Sequence, residues 1–316
     1  MMLEKEKRIK GICPILPTPF HEDGSVDIES LKNLVHFMLE ARVHGIALFG
    51  NASEAFALTQ SEKERIAEVV VREPAGRVPL IFGAGGTGIA CAIESCLWAQ
   101  SCGADILMIM PPHMIKPDQQ RLYEYYAAIA KAVEIPIMLQ DAPGACGVPI
   151  PVDIVARLYR EFDTIQYVKE EAPPTFMKMQ KILEATGGEI TVFGGLNGAS
   201  FYEEMCYGAV GSMPAGEFPD ALIRIYELFV SGDRDSAREE YRRYLPFMKI
   251  GTTAGGVAMS IHKAVLKKGG VILSDRVRNP YVQADEKLQE LAFDTLEGLD
   301  LLALHWRDRE KRVSMG

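Results

Sequence analysis

Eight short apolar runs, each closed by a turn or a polar residue, recur along the first two thirds of the chain and restrict its fold more than any other feature. They span 11–16, 44–49, 78–82, 105–110, 136–140, 165–169, 190–193 and 209–213, with starts 19 to 34 residues apart. Each run is apolar nearly throughout instead of alternating, which is the pattern of a strand buried on both faces of a parallel sheet. The intervals carry helix signals, among them the capping pattern Ser61-x-x-Glu64 and the amphipathic stretches 27–41 and 118–133. Strand and helix therefore alternate. Eight such units close into a (β/α)8 TIM barrel, with a doubly wound open sheet as the alternative. After Phe218 the strand pattern stops, and 221–230, 234–248, 256–267 and 284–304 read as helices. The expected organisation is a barrel over 1–225 and a C-terminal helical extension over 226–316 packed on it. Pro and Gly are spread through the junctions, so no linker divides the barrel.

Charge narrows the partners. Lys plus Arg is 34 against 43 for Asp plus Glu, a net charge of −9, which offers phosphate backbones and anionic membranes no general attraction. No run approaches the ~18 apolar residues of a membrane span, and residues 1–10 are dense in charge instead of carrying an apolar leader core. The reading is a cytoplasmic protein that binds neither nucleic acid nor membrane. The six cysteines contain no C-x-x-C pair and the histidines no H-x-x-x-H spacing, so free, mostly buried thiols and no metal are expected.

Gly83-Ala-Gly85-Gly-Thr-Gly88 matches the G-x-G-x-x-G of a dinucleotide site. The acidic partner of a true fingerprint ends its strand, whereas Asp105 begins one. A glycine-rich loop that admits close backbone approach is the preferred reading.

In a barrel the chemistry sits where strands end. Lys169 closes the sixth run. Loss of hydration at a barrel mouth frees a lysine amine for attack on a carbonyl, which is Schiff-base chemistry, although a strand-end lysine also snorkels to solvent. A period of two puts Tyr167, Lys169 and Glu171 on one side and Val168 and Glu170 on the other. Glu171 is then either a proton carrier beside the imine or a plain ion-pair partner. The second run ends in Gly50-Asn51-Ala52-Ser53, whose small residues suit the holding of a carboxylate by backbone amides. Asn51 or Ser53 can equally cap the next helix. Gln140-Asp141 ends the fifth run, with Asp141 a catalyst or a cap. His113 follows the fourth run and either reaches the same mouth or lies on the surface.

Taken together, Pro17-Thr-Pro-Phe20, Gly50-x-x-x-Glu54, Gly83-Ala-Gly85, Lys169-Glu170 and Gly194-Gly195 resemble the dihydrodipicolinate synthase and N-acetylneuraminate lyase superfamily of class I Schiff-base lyases. Over roughly residues 10–280, the resemblance implies a TIM barrel in which Lys169 forms an imine with a 2-keto acid. The Gly50–Ser53 amides would hold the substrate carboxylate. Together with the residue reading, Glu171, Gln140 and Asp141 are the further catalytic candidates and His113, Gly194 and Gly195 the further substrate-binding candidates, and no cofactor beyond the covalent imine is expected. It also implies a homo-oligomer, a tetramer or dimer. Where the synthases carry a Tyr-Asn pair this chain has Gln140-Asp141, and Gln140 does not relay protons as a phenol does. Asn51-x-Ser53-Glu54-x-Phe56-Ala57, Gln140-Asp141-Ala142-Pro143 and Lys169-x-Glu171 are similar to the 2-keto-3-deoxy sugar acid dehydratases, of the L-2-keto-3-deoxyarabonate type. Dehydration of such a substrate is the expected activity. A pyruvate-dependent aldolase or synthase, and a non-catalytic keto-acid-binding protein on the same barrel, are the alternatives.

Overall fold

The computed structural model describes residues 8–313, without the side chains of 308–313; the charged segment 1–7 lies outside the described residues. All eight expected strands form: β1 Gly11–Ile12, β2 Ile46–Leu48, β3 Leu80–Ala84, β4 Ile106–Ile109, β5 Ile137–Asp141, β6 Ile165–Glu170, β7 Thr191–Phe193 and β8 Gly211–Ser212. The helices are α1 Ile28–Glu40, α2 Gln60–Arg72, α3 Ile89–Ser101, α4 Gln119–Ala132, α5 Pro143–Cys146, α6 Val152–Glu161, α7 Thr175–Ala185, α8 Phe201–Cys206, α9 Pro219–Val230, α10 Arg234–Thr253, α11 Ala258–Gly269, α12 Glu286–Asp294 and α13 Leu302–Val313.

The described chain forms two compact units, each discontinuous in sequence. One contains Pro79–Leu196, Ser200–Met213 and the N-terminal residues to Gly11; the other contains Ile12–Val78, Asn197–Ala199 and the chain from Pro214 onward. In the first unit β3 through β7 pair in parallel, each with the next in sequence. Gly194 bridges to Ser212 beside them. Every residue of β4, β5 and β6 is buried, which is why those runs lack polar alternation. In the second unit Ile15 bridges in parallel to both Ala47 and Ala215, and α9 to α13 follow.

Local chemistry explains the helix starts. The Asp27 side chain accepts the Ser30 amide at 2.9 Å, and Asp118 accepts that of Arg121 at 2.8 Å. Each caps a helix at the boundary its amphipathic stretch announces. The capping box of α2 is Thr59 with Glu62, not Ser61 with Glu64: Thr59 has the extended backbone of a cap, and Ser61 already lies inside the helix. The expected helix over 284–304 is two helices, α12 and α13, because left-handed Gly298 (φ 73°) falls between them. Of the cysteines, Cys13, Cys96 and Cys146 are buried, Cys102 is half-buried, and Cys91 and Cys206 are exposed.

Candidate active site

Lys169 sits near the end of β6, 2% exposed. The register pairs it with Gln140 of β5 and with Phe193 of β7, so the three side chains share one face of the sheet. One residue further, Asp141 pairs with Glu170 on the opposite face. Beyond the strand the ladder continues for one more bond, from the Glu171 amide to the Asp141 carbonyl at 2.8 Å. That bond keeps the alternation and returns Glu171 to the side of Lys169.

The Glu171 carboxylate is held from three strand ends. Its Oε2 lies 3.0 Å from Lys169 Nζ and accepts from Gln140 Nε2 at 2.9 Å. Its Oε1 accepts from the Leu196 amide at 3.3 Å. Such a carboxylate is oriented toward the amine and stays partly open, with 12% of its side chain exposed. The glycine pair after β7 makes this possible. A Cβ on Gly195 would lie 2.5 Å from Glu171 Cγ and Oε1, and one on Gly194 would lie 1.8 Å from Glu204 Oε2. Two adjacent glycines thus admit two carboxylates. Gly195→Ala is expected to displace Glu171 and lower kcat about 100-fold, because a misplacement of ~1 Å at a reacting centre costs that much. Steady-state kinetics on the folded variant checks it.

Behind the strands lies a second buried polar group. The Asp141 carboxylate accepts the Ile150 amide at 3.0 Å and pairs with Lys178 of α7, whose ammonium also lies 3.7 Å from Glu170. Asp141 therefore ties β5 to α7 on the face away from Lys169. Burial, and then the charge of Asp141, push the Glu170 carboxyl well above its ordinary range. Glu204 of α8, fully buried, accepts from Thr175 Oγ1 at 2.6 Å, while its Oε2 has no hydrogen-bond partner among the described residues. Burial raises Glu204 to about 8. As pH rises from about 4.5 the unfolded chain releases this proton and the fold retains it, so stability falls by up to ~1.4 kcal/mol per unit until about pH 8. Glu204→Gln mimics the protonated acid. Its melting temperature should match wild type near pH 4.5 and exceed it increasingly toward pH 8; thermal unfolding across that range is the measurement.

Sequence reasoning missed Thr175, Lys178 and Glu204. A signal existed for α7: Thr175 and Lys178 share the stripe of the buried Met179 and Ile182.

The other candidates take these places. Asn51–Ser53 forms a single 3-10 turn after β2, with Gly50 before it. Ser53 Oγ donates to the Leu16 carbonyl at 2.6 Å, and Thr18 Oγ1 donates to the Ser53 carbonyl at 2.6 Å. Neither Asn51 nor Ser53 caps α2, a role Thr59 fills. Within the turn the Ser53 amide bonds to the Gly50 carbonyl at 3.1 Å. His113 is exposed in the loop after β4. In the glycine-rich loop the Tyr125 hydroxyl both accepts the Gly86 amide, at 3.2 Å, and donates to its carbonyl, at 3.0 Å. Asp105 is engaged at the start of the strands, where it accepts the Leu80 amide at 2.8 Å. Among the described residues no three His, Cys, Asp or Glu side chains form a group able to hold a metal ion, and no helix is long and apolar enough to cross a membrane.

The model of the dihydrodipicolinate synthetase family matches residues 8–298. The chain belongs to the dihydrodipicolinate synthetase family. Its relatives within the dihydrodipicolinate synthetase family have more than one activity. It is 32% identical over 303 residues, 95% of this chain and 97% of the relative, to L-2-keto-3-deoxyarabonate dehydratase of Azospirillum brasilense. It is 32% identical over 299 residues, 93% of this chain and 98% of the relative, to 4-hydroxy-tetrahydrodipicolinate synthase of Methanopyrus kandleri. The dihydrodipicolinate synthase structure from Rhodopseudomonas palustris superposes with a TM-score of 0.86 at 27% identity, covering 94% of this chain and 99% of that one. The fold class is accordingly the (β/α)8 TIM barrel with a helical C-terminal region, and the protein is a lyase of the dihydrodipicolinate synthetase family.

Proposed function

We propose that this protein is a class I Schiff-base lyase that dehydrates a 2-keto-3-deoxy sugar acid of the L-2-keto-3-deoxyarabonate type. The observation that carries the reading is the Glu171 carboxylate lodged 3.0 Å from Lys169 Nζ and held there by Gln140, the residue that stands where the synthases are expected to have a tyrosine. The similarity to the Azospirillum brasilense dehydratase supports it. Lys169 attacks the C2 carbonyl and water leaves as the imine forms. The imine acidifies C3, Glu171 takes a C3 proton, and the resulting enamine expels the C4 hydroxyl, which departs as water with the proton that Glu171 returns; a water then hydrolyses the imine and frees both the product and the Lys169 amine. Gln140 holds Glu171 in reach of that proton. The Gly50–Ser53 loop takes the substrate carboxylate, with Gly194, Gly195 and His113 assigned to substrate binding, and Asp141 serves the site by anchoring β5. No metal or diffusible cofactor enters these steps. The protein acts in the cytoplasm as a homo-oligomer, a tetramer or dimer, with the barrel over 1–225 and the helical extension over 226–316.

Incubation with the keto acid and product analysis test the reading. A retained carbon skeleton less one water is the expected product. Pyruvate plus an aldehyde would overturn dehydration in favour of the aldolase reading, which the synthase relatives support.

A further inference from the structure

The loop after β2 is held by residues more than two hundred positions away. It runs through two 3-10 turns, Asn51–Ser53 and Ala55–Ala57, and reverses between them at Glu54, which sits in the left-handed region at φ 55°. A glutamate gains nothing from that conformation, so its surroundings must impose it. They do so through a buried ion pair. Glu54 and Lys263 of α11 are both fully buried, and Lys263 Nζ donates to Glu54 Oε1. The remaining groups are satisfied: Nζ also donates to the Arg276 carbonyl at 2.8 Å, and Oε2 accepts the Arg278 amide at 2.7 Å. The Lys263 ammonium and the Arg278 guanidinium both lie over the Phe20 ring, at 4.3 and 4.4 Å. Burial pulls the lysine down to about 8, against the raising effect of Glu54.

The stretch after α11 adds contacts along the same loop. The Arg278 guanidinium donates to the Ala57 carbonyl at 2.8 Å and pairs with Glu62 of α2 at 2.5 Å. Tyr281 packs edge-on against Phe56, with ring centroids 5.0 Å apart, and its hydroxyl reaches the Asn51 carbonyl at 3.4 Å. A buried ion pair is a poor source of stability, because desolvation offsets most of its attraction, but it is selective about geometry. Here it acts on the loop assigned to the substrate carboxylate.

We infer that Lys263, through Glu54, is a positioning residue for the Gly50–Ser53 loop, so that the C-terminal region sets affinity for the carboxylate of the keto acid. This rests on the Schiff-base reading. Borohydride trapping separates the two, with peptide mass spectrometry to read the adduct. Wild type and Lys263→Met are titrated with pyruvate and, in parallel, with hydroxyacetone, a small ketone without a carboxylate. Lys263→Met should raise the half-trapping concentration of pyruvate tenfold or more and leave that of hydroxyacetone within twofold. If the single variant fails to fold, because Glu54 is left buried without its counter-charge, the double variant Glu54→Gln/Lys263→Met removes both charges and serves the same comparison. Unchanged pyruvate trapping in a folded variant, or equal losses with both ketones, would overturn the positioning role while leaving the imine intact. Absence of any wild-type adduct would overturn the Schiff-base reading and this inference with it.

Discussion

Lys169→Ala should abolish borohydride-trapped substrate and reduce turnover by at least ~10⁴-fold, because the proposed reaction runs through an imine on this amine. Among the described residues Lys178 is the other lysine near the ends of β5 and β6, and it lies behind the strands with Asp141 and Glu170. It cannot substitute without crossing the sheet. Truncation removes a side chain that is 3% exposed and leaves Glu171 with Gln140 and the Leu196 amide as its partners. A cavity and a weakened carboxylate site together cost about 2–4 kcal/mol, so the variant melts lower. Lys169→Met fills most of that space and keeps the loss of trapping separate from any loss of fold. Circular dichroism and trapping on both variants decide the matter, and an adduct on either one would remove Lys169 from its assigned role.

Glu171→Gln should separate imine formation from the proton transfer that follows. The amide keeps the shape, but its single oxygen accepts from either Gln140 or Leu196 and no longer from both, and it takes no proton from C3. Turnover is expected to fall about 10²–10⁴-fold, the usual worth of a positioned general base. Trapping should fall less than tenfold, since Lys169 is untouched. Equal losses in both measurements would make Glu171 a structural partner of the lysine and return the proton transfer to another group. The comparison with Gly195→Ala is informative, because that variant keeps the carboxylate and moves it; a similar kinetic profile in both would assign the effect to the position of Glu171.

The number and order of the strands were legible because each run is buried on both faces and reads as unbroken apolar sequence. Lys169 was legible as a candidate because it closes such a run, but the chain alone left open a lysine snorkelling to solvent, and only the structure shows it buried. The alternation that joins Lys169 to Glu171 also followed from the chain alone, since a period of two is a local property. The alternation along β5 told only that Gln140 and Asp141 face opposite ways; which one faces Lys169 depended on the register between β5 and β6. Asp141 was a natural candidate catalyst and proved to be paired with Lys178 on the far face. The glycine pair at 194–195 looked like a substrate-binding turn, and its described contacts are the space it leaves for Glu171 and Glu204.

By itself, then, the sequence determined what local rules can express: strand and helix periodicity, the amphipathic stretches that begin at Asp27 and Asp118, and the lysine at the end of an apolar run. Only the tertiary structure decided which polar groups meet. Glu171 finds Gln140 across 31 positions, Glu204 finds Thr175 across 29, and Lys263 finds Glu54 across 209. The physical reason is that backbone preferences act over a turn or a pleat, whereas a buried charge accepts whatever partner the packing brings within hydrogen-bond reach, and no local pattern records which one that is.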